Sequence, residues 1–159
     1  MDKPQFVYVT YIDTTPAQLW EALTGGEFTS RYWGGRRIRS DWQPGAAVEL
    51  IKADGSVDWK GEVLTVEPHK KLSYTFDPLN DEELPDYEGE RVDLEKREPP
   101  SRVTFEIYEH MGKVRLTLIH DEFPQASRIL PGITHGWPAI LSSLKSLLER
   151  GEPLFPDWR

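Results

Sequence analysis

The sequence predicts an α+β fold in which a curved antiparallel β-sheet wraps around one long C-terminal α-helix, with two short helices after the first strand. Three observations carry that reading. A strand-like opening runs into two short helical stretches, each ended by a pair of glycines. A central series of alternating segments is punctuated by Pro-Gly and Asp-Gly turns. The chain then closes on a single apolar stripe at helical spacing.

Taken in order, Phe6, Tyr8, Thr10 and Ile12 alternate with Val7, Val9 and Tyr11. Both rows are largely apolar, so this strand is expected to be covered on both faces. Thr15-Pro16-Ala17-Gln18 has the form of a capping box, with Thr at the N-cap, Pro at N1 and Gln at N3. Leu19, Trp20 and Leu23 share one face of the helix that follows, and Gly25-Gly26 ends it. Residues 27–33 give a second short helix, stopped by Gly34-Gly35. Pro44-Gly45 turns the chain into a strand over 46–53, and Asp54-Gly55 is a hairpin signal that returns it over 57–66. Pro68-His69 turns it again, into a strand over 72–76.

Residues 78–100 break the pattern with nine acidic against three basic side chains, a local charge of -6, and four prolines. This reads as a mobile surface insertion whose removal leaves the fold intact. Strands resume over 102–109 and 113–121 around His110-Met111-Gly112, with Val103, Phe105 and Ile107 on one face and Val114, Leu116, Leu118 and His120 on another. An irregular connection over 123–133, with room for a short helical turn, leads to the last helix. Trp137, Ile140, Leu141, Leu144 and Leu148 form its stripe, with Ser142, Lys145, Ser146 and Glu149 opposite. Pro138 is expected in its first turn and Gly151 at its C-terminal cap.

Composition narrows the class. At 159 residues the chain suits one domain with a sizeable core. The formal charge of -8 argues against a nucleic-acid surface. No apolar run approaches the ~20 residues of a membrane span, and the N-terminus lacks a basic-then-apolar leader. The absence of Cys excludes disulfides, thiolate metal sites and a Cys nucleophile, so the expected compartment is the cytoplasm. Six Trp, six Tyr and six Phe supply rings enough to wall a pocket as well as a core.

A sheet that grips one helix bends away faster than the helix can fill, leaving a mostly apolar space between them. Beyond this helix-grip pattern, several segments carry a more specific likeness. They are Ile12-Asp13 with Pro16 and Leu19-Trp20-Glu21-Ala22-Leu23-Thr24; Tyr32-Trp33-Gly34; Gly61-Glu62-Val63-Leu64-Thr65-Val66-Glu67-Pro68; Leu72-Ser73-Tyr74-Thr75-Phe76; Leu116-Thr117-Leu118-Ile119-His120; and Gly136-Trp137. In this order they cover nearly the whole chain, which resembles the START-like (SRPBCC) superfamily in the branch named for the C-terminal domain of the activator of Hsp90 ATPase. The chain departs from that pattern in the acidic stretch 78–100 and in the residues after the last helix. The expected organisation is one START-like domain over 1–151 and a tail over 152–159.

The resemblance implies a hydrophobic ligand, such as a lipid, sterol, polyketide or flavonoid-like molecule, held between sheet and helix. Candidate wall residues are Tyr8 and Thr10 on the first strand, Trp33 at the glycine break, and Val48, Trp59, Tyr74, Phe76 and Phe105 on the middle strands. Leu116, Leu118 and His120 on the last strand and Trp137, Leu141 and Leu144 on the helix complete the set. Plain core packing is the alternative for each. His120 shares strand parity with Leu116 and Leu118 and is expected to point inward. There a lone imidazole orients a ligand, acts as a general base, or is a hydrogen-bonded core residue. Arg31, Arg36 and Arg37, with Arg39 nearby, form a candidate cavity mouth suited to a carboxylate or phosphate, or else a solvated charged edge.

No metal is expected. His120, Asp121 and Glu122 alternate faces, and His69 and His110 fall in turns. No cofactor is expected either, and no Gly-x-x-x-x-Gly-Lys phosphate loop is present; catalysis gets little support, since there is no Gly-x-Ser-x-Gly elbow. Leu154, Phe155 and Trp158 in the tail have their own surface or a partner as docking sites. The leading expectation is a cytoplasmic binder of an apolar or amphipathic small molecule. The alternatives are a chaperone-associated interaction module, and a cyclase- or hydrolase-type enzyme using His120.

Overall fold

The computed structural model of the chain describes residues 3–78 and 98–156. Most of the acidic stretch 78–100, and Trp158, lie outside them. The elements run β1 (Phe6–Ile12), α1 (Pro16–Thr24), α2 (Gly26–Tyr32), β2 (Arg37–Ser40), β3 (Ala47–Ile51), β4 (Val57–Glu67), β5 (Lys71–Pro78), β6 (Ser101–His110), β7 (Lys113–Asp121) and α3 (Leu130–Arg150). The strands form one antiparallel sheet in the order β1-β7-β6-β5-β4-β3-β2, curved over α3, which is the expected helix-grip architecture. The core lies between the concave face and α3. It is built from rows such as Leu72, Tyr74 and Phe76 on β5, Val103, Phe105 and Ile107 on β6, and Leu116 and Leu118 on β7.

Local chemistry explains the helix ends. The Thr15 hydroxyl accepts from the Gln18 N–H at 3.2 Å, with Pro16 in the first turn. Only half of the capping box forms, because the Gln18 side chain accepts from the Thr14 hydroxyl at 3.0 Å. At the other end of α1 two aromatics donate to its last carbonyls, Tyr32 Oη to Ala22 at 2.7 Å and Trp42 Nε1 to Thr24 at 3.0 Å. Gly151, at φ 81°, ends α3 in the left-handed conformation.

Several expectations are corrected. The outer row of β1 is uncovered, with Val7, Val9 and Tyr11 exposed, because no layer packs on its convex side among the described residues. A short strand, β2, occupies 37–40. Its edge is held by α2: buried Thr29 Oγ1 accepts from the Ile38 N–H and donates to the Arg36 carbonyl, both at 3.0 Å. The helix α3 starts at Leu130, so Pro138 lies in its interior and deprives the Thr134 carbonyl of its usual donor.

Two contacts far apart in sequence support that early start. The Ser127 hydroxyl accepts from the Leu130 N–H at 3.1 Å and donates to Glu98 at 2.6 Å, while Glu98 also accepts from the Arg128 N–H at 2.6 Å. The end of the 78–100 stretch is therefore tied down at Glu98. Ser146, expected to face solvent, is buried with Ser143, because the tail folds back along α3. Ser146 donates to the Glu152 carbonyl at 2.7 Å and Ser143 accepts from the Phe155 N–H at 3.4 Å.

One glycine is required by close approach. A Cβ at Gly61 would lie 1.8 Å from the Thr75 carbonyl oxygen of β5, so β4 fits against β5 there only without a side chain. Gly61→Ala is expected to lower unfolding stability by about 3 kcal/mol or more, as an overpacked backbone contact. Urea denaturation against the parent chain measures it, and a change under ~0.5 kcal/mol would mean that the strands part freely.

Candidate functional site

Strand parity and the break after α2 bring six large rings onto one surface between the sheet and α3. Trp33 enters from the C-terminal cap of α2, Trp59 from β4, Tyr74 and Phe76 from β5, Phe105 from β6 and Trp137 from α3. Trp59 is central, stacked on Tyr74 at 5.3 Å and in contact with Phe76 at 5.1 Å and Trp33 at 6.2 Å. Trp137 closes the group from above, 5.3 Å from Trp33 and 5.9 Å edge-on to Phe105. All six are buried, so the rings fill much of the space they surround. Burial without an aqueous partner raises the Tyr74 and Tyr32 phenols above the ordinary tyrosine range.

A polar chain crosses the margin of this cluster. The Trp137 indole N–H donates to His120 Nδ1 at 2.9 Å, and His120 Nε2 lies 2.7 Å from Ser101 Oγ. An indole N–H is a donor only, so Nδ1 must be the unprotonated nitrogen and Nε2–H donates to Ser101. The Ser101 hydroxyl is then free to donate to the Phe76 carbonyl at 3.4 Å. Phe76, at 5.0 Å, and Phe123, at 4.6 Å, flank the imidazole. Burial pushes the His120 pKa down to about 3, outweighing the pull of Asp121. A second ring proton would also face the indole donor. His120 is therefore neutral, fixed in tautomer, and engaged at both nitrogens.

The remaining candidates are placed as follows. Leu116, Leu118, Leu141, Leu144 and Val48 are buried core around the rings. Tyr8 and Thr10 are half-buried on β1, where the ring contact of Tyr8 is with Phe6 and not with the cluster. Arg31 ends α2, Arg37 and Arg39 project from β2, and Arg36 pairs with Asp58 at 2.9 Å. Arg39 pairs with Glu49 at 3.0 Å, so much of this basic group faces carboxylates of its own sheet. Among the described residues no group of His, Asp and Glu is placed to hold a metal ion.

Two participants were missed from the sequence, Ser101 and Phe123. Extending the β6 row Val103, Phe105 and Ile107 back by one step places Ser101 on the inward face, a small polar residue in an apolar row. A separate surface groove of about 620 Å³, between the β4–β5 turn and the end of β6, shares no residue with the cluster.

The comparisons with known proteins bear on the same architecture. The family described as Activator of Hsp90 ATPase homolog 1-like protein matches residues 13–149. The chain belongs to this family. No curated protein matches its sequence. Among solved structures, protein MLL2253 from Mesorhizobium loti superposes with a TM-score of 0.73 at 26% identity, over 94% of this chain and 99% of that one. The Aha1 dimer from Colwellia psychrerythraea gives 0.69 at 16% identity, over 93% and 98%. DynU16, from the dynemicin biosynthetic locus, gives 0.74 at 20% identity, over 98% of this chain and 51% of that one. The last two likenesses show the shared fold. Within that fold, no helix among the described residues is long and apolar enough to cross a membrane.

The His120 geometry fixes a pH dependence. The folded pKa is about 3 against an ordinary histidine value of 6.5, so between these values the unfolded chain binds the extra proton. Stability from this group is complete above the unfolded pKa and is lost as pH falls toward the folded one, at about 1.4 kcal/mol per unit. Urea midpoints from pH 7 to pH 4 are expected to fall, and His120→Gln to flatten that fall. An unchanged acid slope in the variant would place the proton uptake elsewhere.

Proposed function

We propose that the protein holds an apolar or amphipathic small molecule, or a lipid, at the aromatic cluster between the sheet and α3. The observation that supports this reading is the gathering of six buried rings from five elements beside one oriented polar chain. An apolar wall with few fixed polar groups is the usual makeup of a small-molecule site. In this reading a ligand displaces rings by rotamer changes and meets the Ser101 end of the polar chain. Because both His120 nitrogens are engaged, the polar chain serves orientation, not proton transfer. Arg31 and Arg37 flank the Trp33 end, where they would face an acidic headgroup, while Arg36 is held by Asp58 at 2.9 Å.

The cover over the site is its least rigid part. The first three turns of α3 contain Pro131, Gly132, Gly136 and the interior Pro138, and residues 131, 132, 134 and 135 are exposed. Poor helix formers and a missing hydrogen bond lower the cost of local opening there. A second reading, a chaperone-associated module, is favoured by membership of a family named for activation of the Hsp90 ATPase. Adding the purified protein to Hsp90 and following ATP turnover tests it, and an unchanged rate counts against it.

The small-molecule reading is tested by thermal shift against fatty acids, sterols, flavonoids and polyketide-like acids. A true ligand at ~100 Kd is expected to stabilise the native chain by about 2.7 kcal/mol. Trp59→Leu is expected to remove that shift while leaving a folded circular-dichroism spectrum. No shift with any class, or a shift that survives Trp59→Leu, would overturn the proposed site.

A further inference from the structure

Around the rim of the aromatic cluster, the polar atoms of the rings find acceptors. Tyr32 Oη donates to the Ala22 carbonyl at 2.7 Å, Trp42 Nε1 to the Thr24 carbonyl at 3.0 Å, and Trp137 Nε1 to His120 Nδ1 at 2.9 Å. At the centre the pattern stops. Trp33, Trp59 and Tyr74 are 6%, 3% and 1% exposed. Among the described residues neither indole N–H nor the phenol hydroxyl has a hydrogen-bond partner. The three rings are neighbours, Trp59 lying 5.3 Å from Tyr74 and 6.2 Å from Trp33. Buried donors in folded proteins are nearly always paired, so three unpaired ones on adjoining rings require a cause. The ring faces beside them are weak acceptors at most. Core packing does not supply the cause, since phenylalanine would fill the space without burying an unpaired polar atom.

We propose that the ligand is a flat aromatic ketone whose carbonyl oxygens accept from these donors, a choice of chemistry that rests on the binding reading above. An indole N–H only donates, and a phenol donates as well as accepts, so together the three groups lack acceptors. A carbonyl oxygen supplies acceptance alone, with two lone pairs for two donors. Water fits less well. It brings two protons of its own, and of the three groups only the Tyr74 oxygen can accept one. A carboxylate also accepts, but burying its charge among six rings without a cation costs far more than burying a neutral carbonyl. An alkyl chain leaves all three donors unpaired. Flatness follows from the same rings: the planes of Trp59 and Tyr74 lie 16° apart, so a planar ring system can stack on either.

The experiment compares fluorenone carboxylate with fluorene carboxylate by titration calorimetry on the full chain. The two share a flat frame and a carboxylate, and differ in one ring carbonyl against one methylene. The ketone is expected to bind roughly tenfold more tightly or better. Tyr74→Phe and Trp59→Phe are each expected to cut that ratio about threefold or more, with fluorene carboxylate binding unchanged. Without ligand, Tyr74→Phe is expected to keep or raise the urea midpoint, because it deletes an unpaired hydroxyl. Tyr32→Phe, which deletes a made bond, is expected to lower it. Equal affinity for the two compounds overturns the ketone proposal and leaves the binding reading standing. A ratio unchanged in both phenylalanine variants overturns it too. So does a fall in midpoint for Tyr74→Phe as large as that for Tyr32→Phe, which would reveal a partner for the hydroxyl in the free chain. Should Trp59→Phe unfold, Tyr74→Phe alone decides. If neither compound binds, the ketone proposal falls, and the wider thermal-shift screen judges the binding reading separately.

Discussion

An indole nitrogen that can only donate sets the height and rotation of α3 over the sheet. Trp137 must find an acceptor when buried, and His120 Nδ1 supplies it at 2.9 Å. That bond fixes the imidazole tautomer, which fixes the donor to Ser101 and leaves the serine proton for the Phe76 carbonyl. One chain of polar contacts thus ties α3 to β7, β6 and β5. Its net contribution is modest, about 1 kcal/mol per hydrogen bond. Its hold on the arrangement is larger, because any shift of α3 leaves buried donors or acceptors unpaired at about 1–3 kcal/mol each. Apolar packing alone would tolerate α3 in several positions; this chain singles out one.

The same logic of satisfying groups that would otherwise be orphaned runs through the periphery. Tyr32 and Trp42 donate to the last carbonyls of α1, so the short helices are fixed by aromatics arriving from later in the chain. Thr29 then lets α2 substitute for a neighbouring strand along β2. The Trp33 ring that follows α2 reaches Trp59 and Trp137 only because α2 is seated there. The aromatic cluster is therefore a consequence of polar pairing at some distance from it.

The parts legible in the sequence are those where local pattern and tertiary structure agree. The Thr15 cap, the glycine breaks and the inward parity of His120 with Leu116 and Leu118 needed only neighbouring residues. The parts that were not legible depend on distant partners. Arg37, Ile38 and Arg39 have too short a pattern to announce a strand, and what holds them is a threonine on α2. Gly132, Gly136 and Pro138 speak against a helix over 130–138. The helix forms there nonetheless, with its first turn bonded to Ser127 and, through it, to Glu98. The two apolar rows of β1 read as a strand covered on both faces, since hydrophobicity alone does not reveal which face of a sheet lacks a covering layer.

In the proposed reading the cluster serves two roles, packing and binding, that draw on the same residues. Rings about 5 to 6 Å apart contribute to the core as strongly as any aliphatic packing. A ligand entering among them must replace contacts that already exist, so its gain is the difference between two packings, not the whole of its buried area. That difference favours flat, polarizable molecules able to restore ring-to-ring contact, and it disfavours narrow alkyl chains unless their polar end meets Ser101 or an arginine. In the same proposed reading it sets where opening occurs. The sheet side of the cluster is fixed by continuous hydrogen-bonded ladders from β4 to β7. The α3 side begins with turns that lack one backbone bond and carry two glycines. Entry through α3 therefore disturbs fewer interactions than entry through the sheet. The anchor that limits it is the bond between Trp137 and His120, one residue before the proline that weakens the helix.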